Sequence, residues 1–357
     1  MKTFLSLNYG SSSLKYALFE EDRPILRASY PCRGLEELEG ALESLIKQLP
    51  TEPEVVAHRV VHGMEHRGPM LIEGEGLELL EELAHINPLH NALALIGVKK
   101  SLTLFPRSKH YALFDTDFHK SIPPHARVYG LDYRLYEEGI KRYGFHGISY
   151  SYLLRKVKET LHKDRPNLIM MHLGQGCSIC AVKEGFSVET SMGFSPLEGL
   201  IMVSRPGDLD PGILLELLNR GYSAEELKNT LYHRAGLGAI AGVHSFKELL
   251  LLKDEDKRAE LAFDAFIHRL LKYVGAYWFL LEGKVDALLF SGGIGENSPE
   301  VREALCSRLS FLGVELDMEA NKESRLIVSK RESSTKVMVM KTDEELEMVL
   351  RLMESVF

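Results

Sequence analysis

One short pattern opens both halves of the chain, and it limits the available folds more than any other feature. Thr3-Phe4-Leu5-Ser6-Leu7 alternates as a half-buried strand, breaks at Asn8-Tyr9-Gly10-Ser11-Ser12-Ser13, and resumes as Leu14-Lys15-Tyr16-Ala17-Leu18-Phe19. In the second half Leu168-Ile169-Met170-Met171 runs into His172-Leu173-Gly174-Gln175-Gly176-Cys177 and continues as Ile179-Cys180-Ala181-Val182. Setting the two turns side by side matches a glycine at the third place of each. A strand–turn–strand unit that recurs roughly 160 residues later argues for two related lobes facing each other across a cleft.

The remaining pattern is alternating α and β. Leu35, Leu38, Leu42, Leu45, Ile46 and Leu49 are spaced three and four apart and fall on one helical face. Residues 55–61 read as a buried strand, residues 77–83 and 92–102 as helices, and Tyr111-Ala112-Leu113-Phe114 as a short strand ending at Asp115. A third glycine turn follows the strand Val285-Asp286-Ala287-Leu288-Leu289-Phe290. It reads Ser291-Gly292-Gly293-Ile294-Gly295-Glu296-Asn297-Ser298-Pro299, with Asn297 or Ser298 expected to cap a helix and Pro299 in its first turn. Strands feeding glycine turns and helices specify an α/β fold. A helix start beside exposed backbone amides suits phosphate.

Composition narrows the function. At 357 residues the chain is long enough for roughly two domains, and 45% hydrophobic with 26% charged residues is ordinary globular usage. A formal charge of −8 leaves no basic footprint for a nucleic-acid backbone. No run of about 18 apolar residues and no signal-like N-terminus is present, so a cytoplasmic protein away from membranes is expected. Cys177 and Cys180 form a C-x-x-C, but strand residues three apart point to opposite faces and no second pair completes a zinc site. No G-x-x-x-x-G-K-[ST] sequence occurs, so phosphate must be held by the several Gly/Ser turns instead of a P-loop.

Together with those turns, His58-Arg59-Val60-Val61-His62-Gly63, Phe114-Asp115-Thr116-Asp117-Phe118-His119, Arg142-Tyr143-Gly144-Phe145-His146-Gly147, Thr190-Ser191-Met192-Gly193-Phe194-Ser195-Pro196-Leu197-Glu198-Gly199 and Ser204-Arg205-Pro206-Gly207-Asp208-Leu209-Asp210-Pro211 form an ordered set. That set, nearly end to end, resembles the acetate kinase family, within the superfamily of acetate and sugar kinases and actin-like ATPases. The resemblance implies two duplicated actin-like ATPase lobes of ribonuclease H-like topology. Residues 1–116 with 343–357 would form the N-terminal acceptor and metal lobe, and residues 117–342 the nucleotide-binding and dimerisation lobe. It further implies magnesium, or manganese in its place, ATP and ADP as substrates, acetate or a similar short-chain acid as acceptor, and a homodimer.

The family's functional residues carry over position by position. Arg59 would bind the acceptor carboxylate, Arg205 the transferring phosphoryl group and carboxylate, and His146 an equatorial phosphoryl oxygen. Asp115 corresponds to the catalytic aspartate, holding the metal or its waters. Asn8 and Glu344 are the other metal candidates, with Glu345 adjacent to Glu344. Val61, Leu89, Phe145 and Pro196 would shape the acyl pocket. The nucleotide side would comprise Ser11, Ser13 and Lys15, then His172, Leu173, Gly174, Gln175 and Gly176, then Ser245, Phe246 and Lys247, and finally Gly293, Ile294, Gly295, Glu296 and Asn297.

The chemistry agrees with these types. A carboxylate acceptor is already ionised near pH 7, so no base is needed to make the nucleophile; positive charge and alignment are needed instead. Forked guanidinium groups supply both. Two departures bear on the donor. Gln175 stands where the family usually has Asn, and the stretch that normally reads Ser-Ser-Asp-hydrophobic-Arg is Val243-His244-Ser245-Phe246-Lys247-Glu248 here, without the ribose-contacting aspartate. Pyrophosphate or another nucleotide is therefore an alternative donor, and propionate or butyrate an alternative acceptor. A sugar-kinase-like ATPase would need a general base for its hydroxyl acceptor. A catalytically silent nucleotide-binding protein would be expected to have lost Arg59, Asp115, His146 or Arg205, and all four are present.

Overall fold

The structure is a computed structural model describing residues 2–10, 13–32, 35–86 and 91–357. Ser11 and Leu89, both named above, lie outside the described residues. The chain divides into two compact units: Met1–Lys120 with Phe145–Tyr152 and Asp343–Phe357, and Ser121–Gly144 with Leu153–Thr342.

The first unit is built on a six-stranded sheet: β1 (Thr3–Tyr9), β2 (Ser13–Glu20), β3 (Arg23–Pro31), β4 (Val55–Val60), β5 (Met70–Leu71) and β6 (Lys109–Phe114), ordered β3-β2-β1-β4-β6-β5. β1, β2 and β3 form an antiparallel meander, while β4 and β6 run parallel to β1 and to each other. Period-two alternation divides the buried residues between the faces. Leu5, Leu7, Tyr9 and Val56 pack with Leu38, Leu42 and Leu45 of the helix Leu35–Gln48 on one side. Phe4, Ala57, Tyr111 and Leu113 pack with Met348, Val349 and Leu352 of the C-terminal helix Glu344–Ser355 on the other.

The second unit repeats this plan with β7 (Leu168–Leu173), β8 (Cys177–Lys183), β9 (Phe186–Thr190), β10 (Ala287–Ser291) and β11 (Lys336–Val339), ordered β11-β10-β7-β8-β9. β7, β8 and β9 are antiparallel neighbours, and β10 and β11 run parallel to β7. Strand for strand, this is the order and direction of β1, β2, β3, β4 and β6, so the repeat seen in the turns extends to the whole ribonuclease H-like core. Both faces of its central strands are covered: Leu168, Ile169, Met170 and Met171 are all inaccessible. A 24-residue helix, Lys257–Leu280, buries Ala259, Ala262, Phe266, Ile267, Leu270 and Val274 at three- and four-residue spacing, and Asp256 caps its first turn through the amides of Arg258 and Ala259.

Cys177 and Cys180 are both buried on β8, where burial pushes each thiol up to about 12. They behave as apolar packing. Among the described residues no single helix is long and apolar enough to cross a membrane.

One polar group interrupts the first unit's core. Tyr9 Oη lies 2.9 Å from His58 Nδ1, and His58 Nε2 lies 3.0 Å from His110 Nδ1, all buried. Burial holds both imidazoles below their ordinary value of 6.5, most strongly at His58, where the neighbouring His110 adds to the effect. The unfolded chain therefore takes up protons first as the pH falls, and stability drops below the unfolded value. The thermal midpoint is expected to fall between about pH 7 and about pH 5, and His110→Gln to lessen the slope by up to about 1.4 kcal/mol per pH unit. Unfolding curves measured across that range check this, and a pH-independent midpoint would contradict it.

Candidate active site

Three parallel strands bring three polar residues to one sheet edge. Asn8 is the penultimate residue of β1, Arg59 of β4, and Asp115 follows β6; alternation turns all three toward the face covered by the C-terminal helix. The carboxyl ends of parallel strands are where α/β sheets place ligand groups. Arg59 is the hub. Its Nη2 and Nε donate to the two oxygens of Asp115 at 2.6 and 3.2 Å, and its Nη1 donates to Asn8 Oδ1 at 2.9 Å and stands 3.3 Å from Glu344. Asn8 Nδ2 in turn donates to Glu344 Oε2 at 2.7 Å and Glu345 Oε1 at 2.8 Å.

The C-terminal helix delivers both glutamates because its start is pinned. Asp343 caps it by accepting from the Leu346 amide, and Arg27 of β3 grips the same carboxylate with both terminal nitrogens, at 3.0 and 2.6 Å. Ser149 Oγ donates to Glu344 Oε1. Glu344 and Glu345 thus share the site, and Asn8 ties them to Arg59.

His146 enters through strained backbone. Its φ of 59° is in the left-handed region, and its amide donates to the Asp115 carboxylate. The next residue has to be glycine: a Cβ on Gly147 would stand 2.0 Å from the Asp115 carbonyl oxygen and 2.8 Å from Phe118 Cβ. Strand end and helix start therefore touch backbone to backbone, and this brings His146 beside Asp115 at the end of β6. Val61 and Phe145 are buried in the same unit, Phe145 edge-on to His62 at 5.5 Å.

Charge in this cluster does not balance. Asp115, Glu344 and Glu345 converge on one guanidinium. Burial raises the pKa of Asp115 despite Arg59, and burial together with Glu344 raises that of Glu345. The hard oxygen donors suit a small divalent cation. No group of three or more His, Cys, Asp or Glu among the described residues is placed to hold a metal ion by itself. An open, oxygen-only set fits an ion that keeps waters and takes the rest of its ligands from phosphate.

The second unit contributes a different kind of group. Arg205 is half-buried, its Nη1 donates to the Pro196 carbonyl at 3.2 Å, and its Nε is buried without a partner. It makes no ion pair with a carboxylate among the described residues, and burial lowers its pKa. A desolvated cation with an unused donor is an anion site in waiting.

The glycine turns of this unit abut. Gly292 has φ 76°, and a Cβ there would meet the Leu173 carbonyl oxygen at 2.6 Å, so the turn after β10 presses directly on the turn after β7. The first of these turns is closed by the Gly174 amide donating to the Gly176 carbonyl at 3.1 Å, while His172 is half-buried and Gln175 exposed. The expected helix is Pro299–Cys306, with Ser298 at its N-cap and Pro299 in its first turn, and a short helical segment, Gly292–Asn297, precedes it on the glycines themselves. Glu296 folds back so that Oε1 accepts from the Gly292 amide at 2.9 Å, and Asn297 Nδ2 donates to the Gly293 carbonyl at 2.8 Å; both shape the turn. Phe246 is turned into the core, 5.0 Å from Phe266, leaving Lys247 and Ser245 exposed. Ser245 is itself engaged as a helix cap, accepting from the Glu248 amide at 3.1 Å.

Sequence reasoning missed Ser149, Gly147 and Arg302. Arg302 is fully buried, donates to the carbonyls of Gly295 at 2.6 Å and Glu296 at 3.1 Å, and grips Asn321 at 2.6 Å. Its only signal was an arginine three residues after Pro299 on a helix face otherwise filled by Val301 and Leu305.

Known proteins share this arrangement along the whole chain. The family model described as the acetokinase family matches residues 32–350. Acetate kinase 1 of Vibrio vulnificus is 40% identical over 386 aligned positions, covering 97% of this chain and 96% of its own. Acetate kinase of Sulfurimonas denitrificans is 44% identical over 302, covering 83% and 77%. Among solved structures, a propionate kinase from Francisella tularensis superposes with a TM-score of 0.90 at 33% identity over 98% of each chain. Porphyromonas gingivalis acetate kinase gives 0.88 at 32% identity over 100% of each. With the duplicated actin-like ATPase fold and the strand-end cluster of Asn8, Arg59, Asp115, Glu344 and Glu345 in place, the chain belongs to the acetokinase family.

Proposed function

We propose that the protein is a magnesium-dependent acetate kinase, moving the γ-phosphoryl group of ATP reversibly onto acetate to give acetyl phosphate and ADP. The observation that carries this reading is Arg205: a guanidinium whose buried Nε is unpaired, and which has no carboxylate partner among the described residues, is held ready for an anion. Arg59, by contrast, is already engaged, and its Nη1 has only Asn8 Oδ1 and Glu344 to exchange for an incoming carboxylate.

In the forward direction a carboxylate oxygen of acetate attacks the γ-phosphorus as the bond to the ADP oxygen breaks and the electron pair leaves on ADP. No proton moves, because the acceptor carboxylate is already ionised near pH 7. Arg59 orients the acceptor, Arg205 and His146 neutralise charge developing on the phosphoryl oxygens, and Asp115, Glu344, Glu345 and Asn8 hold the metal or its waters. When bound, magnesium supplies a Lewis acid that screens the phosphate oxygens. The first unit is read as the acceptor and metal side, with Val61 and Phe145 limiting the acyl group to a short chain; Pro196, read in the same role, belongs to the second unit. The second is read as the nucleotide side, through Ser245, Lys247 and the turns after β7 and β10. Ser13 and Lys15 support phosphate from the first unit. A homodimer joined through the second unit, where Leu215, Phe279 and Phe311 are exposed, belongs to the same reading, as does a cytoplasmic location.

Hydroxamate-trapped acyl phosphate should form with acetate and ATP only when magnesium is present. Parallel wells with propionate and butyrate, and with GTP and pyrophosphate, separate acceptor from donor. Activity with pyrophosphate alone would overturn ATP while keeping the site, and no acyl phosphate from any pair would overturn the enzyme. The propionate arm matters because a propionate kinase from Francisella tularensis is a structural neighbour, and one methylene changes selectivity by only about 1–3 kcal/mol.

Variants divide the two arginines. Arg205→Ala should keep the fold and lose about 10²–10³-fold in kcat, as for a donor aimed at developing charge. Arg59→Ala should also destabilise the protein, by about 3–5 kcal/mol, since it leaves buried carboxylates uncompensated. Denaturant melts beside steady-state rates distinguish the two, and equal stability losses would refute the assignment.

A further inference from the structure

A hydrogen-bonded row lies on the opposite face of the strand ends that carry Asn8 and Arg59, and its protons fit only one neutral arrangement. His110 Nε2 is 3.1 Å from the Phe105 carbonyl oxygen, which can only accept, so that nitrogen carries the proton. His110 Nδ1 is then bare and accepts from His58 Nε2 at 3.0 Å, and His58 Nδ1 is bare and accepts from the Tyr9 hydroxyl at 2.9 Å. The rings also stack, Tyr9 on His58 with planes 6° apart and His58 on His110 with planes 16° apart.

The row sits where the backbone tie runs out. The ladder between β1 and β4 ends at Leu7 and His58, one residue short of Asn8 and Arg59. Between β4 and β6 it continues to Val60 and Phe114, and the Asp115 amide still donates to the Val60 carbonyl at 3.1 Å. Arg59 is thus fixed to Asp115 by backbone pairing, while its alignment with Asn8 depends on side chains: Asn8–Arg59 on the site face and Tyr9–His58 behind it. Room for the Tyr9 ring is cut into the helix Asn91–Leu104, where a Cβ on Gly97 would stand 2.2 Å from Tyr9 Cε1. Glycine in mid-helix is unfavourable in isolation, and here it makes the notch that holds the phenol against His58.

We infer that Tyr9 and His58 are positioning residues for the phosphoryl transfer, locking the end of β1 to the end of β4 so that Asn8 and Arg59 keep one spacing. The inference rests on the reading of Arg59 as the acceptor-binding residue. Loosening this lock acts on carboxylate binding and leaves the second unit's nucleotide turns untouched.

Tyr9→Phe removes the hydroxyl and keeps the ring in its notch. His58→Leu breaks both links, and His58→Gln can still accept from Tyr9 and donate to His110. Steady-state rates are measured well below each variant's melting temperature, together with the NMR signal and solvent exchange of the Arg59 Nε proton. Tyr9→Phe should raise KM for acetate about 3–10-fold with KM for ATP within about twofold, His58→Leu should do so more strongly, and His58→Gln should recover part of the loss, in keeping with the sensitivity of rates to small misplacements. The Arg59 Nε proton should shift and exchange faster in Tyr9→Phe. Lower melting temperatures with both KM values and the Arg59 signal unchanged would overturn the inference, as would equal rises in both KM values. If the unaltered protein makes no acyl phosphate, the enzymatic reading fails, and the Arg59 signal alone still decides whether the lock exists.

Discussion

The bidentate contact of Arg59 with Asp115 holds the first unit's site together. It joins the ends of two parallel strands, and through Asn8 and Glu344 it extends to a third strand and the C-terminal helix. Without the guanidinium, three carboxylates would meet in a poorly solvated place; without the carboxylates, a buried cation would stand alone. Each side makes the other tolerable, and the surplus of negative charge leaves the cluster suited to a divalent ion.

The second unit solves the converse problem. Arg302 is a buried cation satisfied by carbonyls and the Asn321 side chain, whereas Arg205 donates to the Pro196 carbonyl and keeps its Nε without a partner. Arg302 supports the turn after β10 from behind, and that turn leans on the one after β7 through Gly292. One ribonuclease H-like core thus gathers three carboxylates around Arg59 at its strand ends, and its duplicate holds Arg205 with an unpartnered Nε.

Much of this was legible in the sequence because it depends on local rules. The alternating strands, the glycine turns and the repeat between residues 8–13 and 172–177 specified a duplicated α/β core, and β1, β2, β7 and β8 lie where that pattern put them. The helices expected at 77–83 and 92–102 are Glu75–Ile86 and Asn91–Leu104. What stayed hidden needs three dimensions. Whether Glu296 would face a ligand or fold back on Gly292 depends on the turn being helical, and glycine-rich sequence does not declare that. That Phe246 packs on Phe266 could not be read, because one apolar residue in a polar stretch gives no direction. The roles of Gly97 and Gly147 could not be read at all, since each answers a side chain or carbonyl distant in sequence.

The hydrogen bond from Asn8 to Glu344 spans 336 residues of sequence. Such a contact has no local precursor. The meander β1, β2 and β3 can form early from neighbouring segments, but the cluster around Arg59 gains its glutamates only after both units' worth of intervening chain has been threaded through. Loop-closure entropy makes so non-local an assembly slow. A folding intermediate with the first sheet formed and its covering helix undocked would expose the apolar face of Phe4, Ala57 and Leu113, the kind of surface on which partly folded chains associate. Docking of one twelve-residue helix therefore completes the site and, in the same event, removes the most adhesive surface of the folding chain.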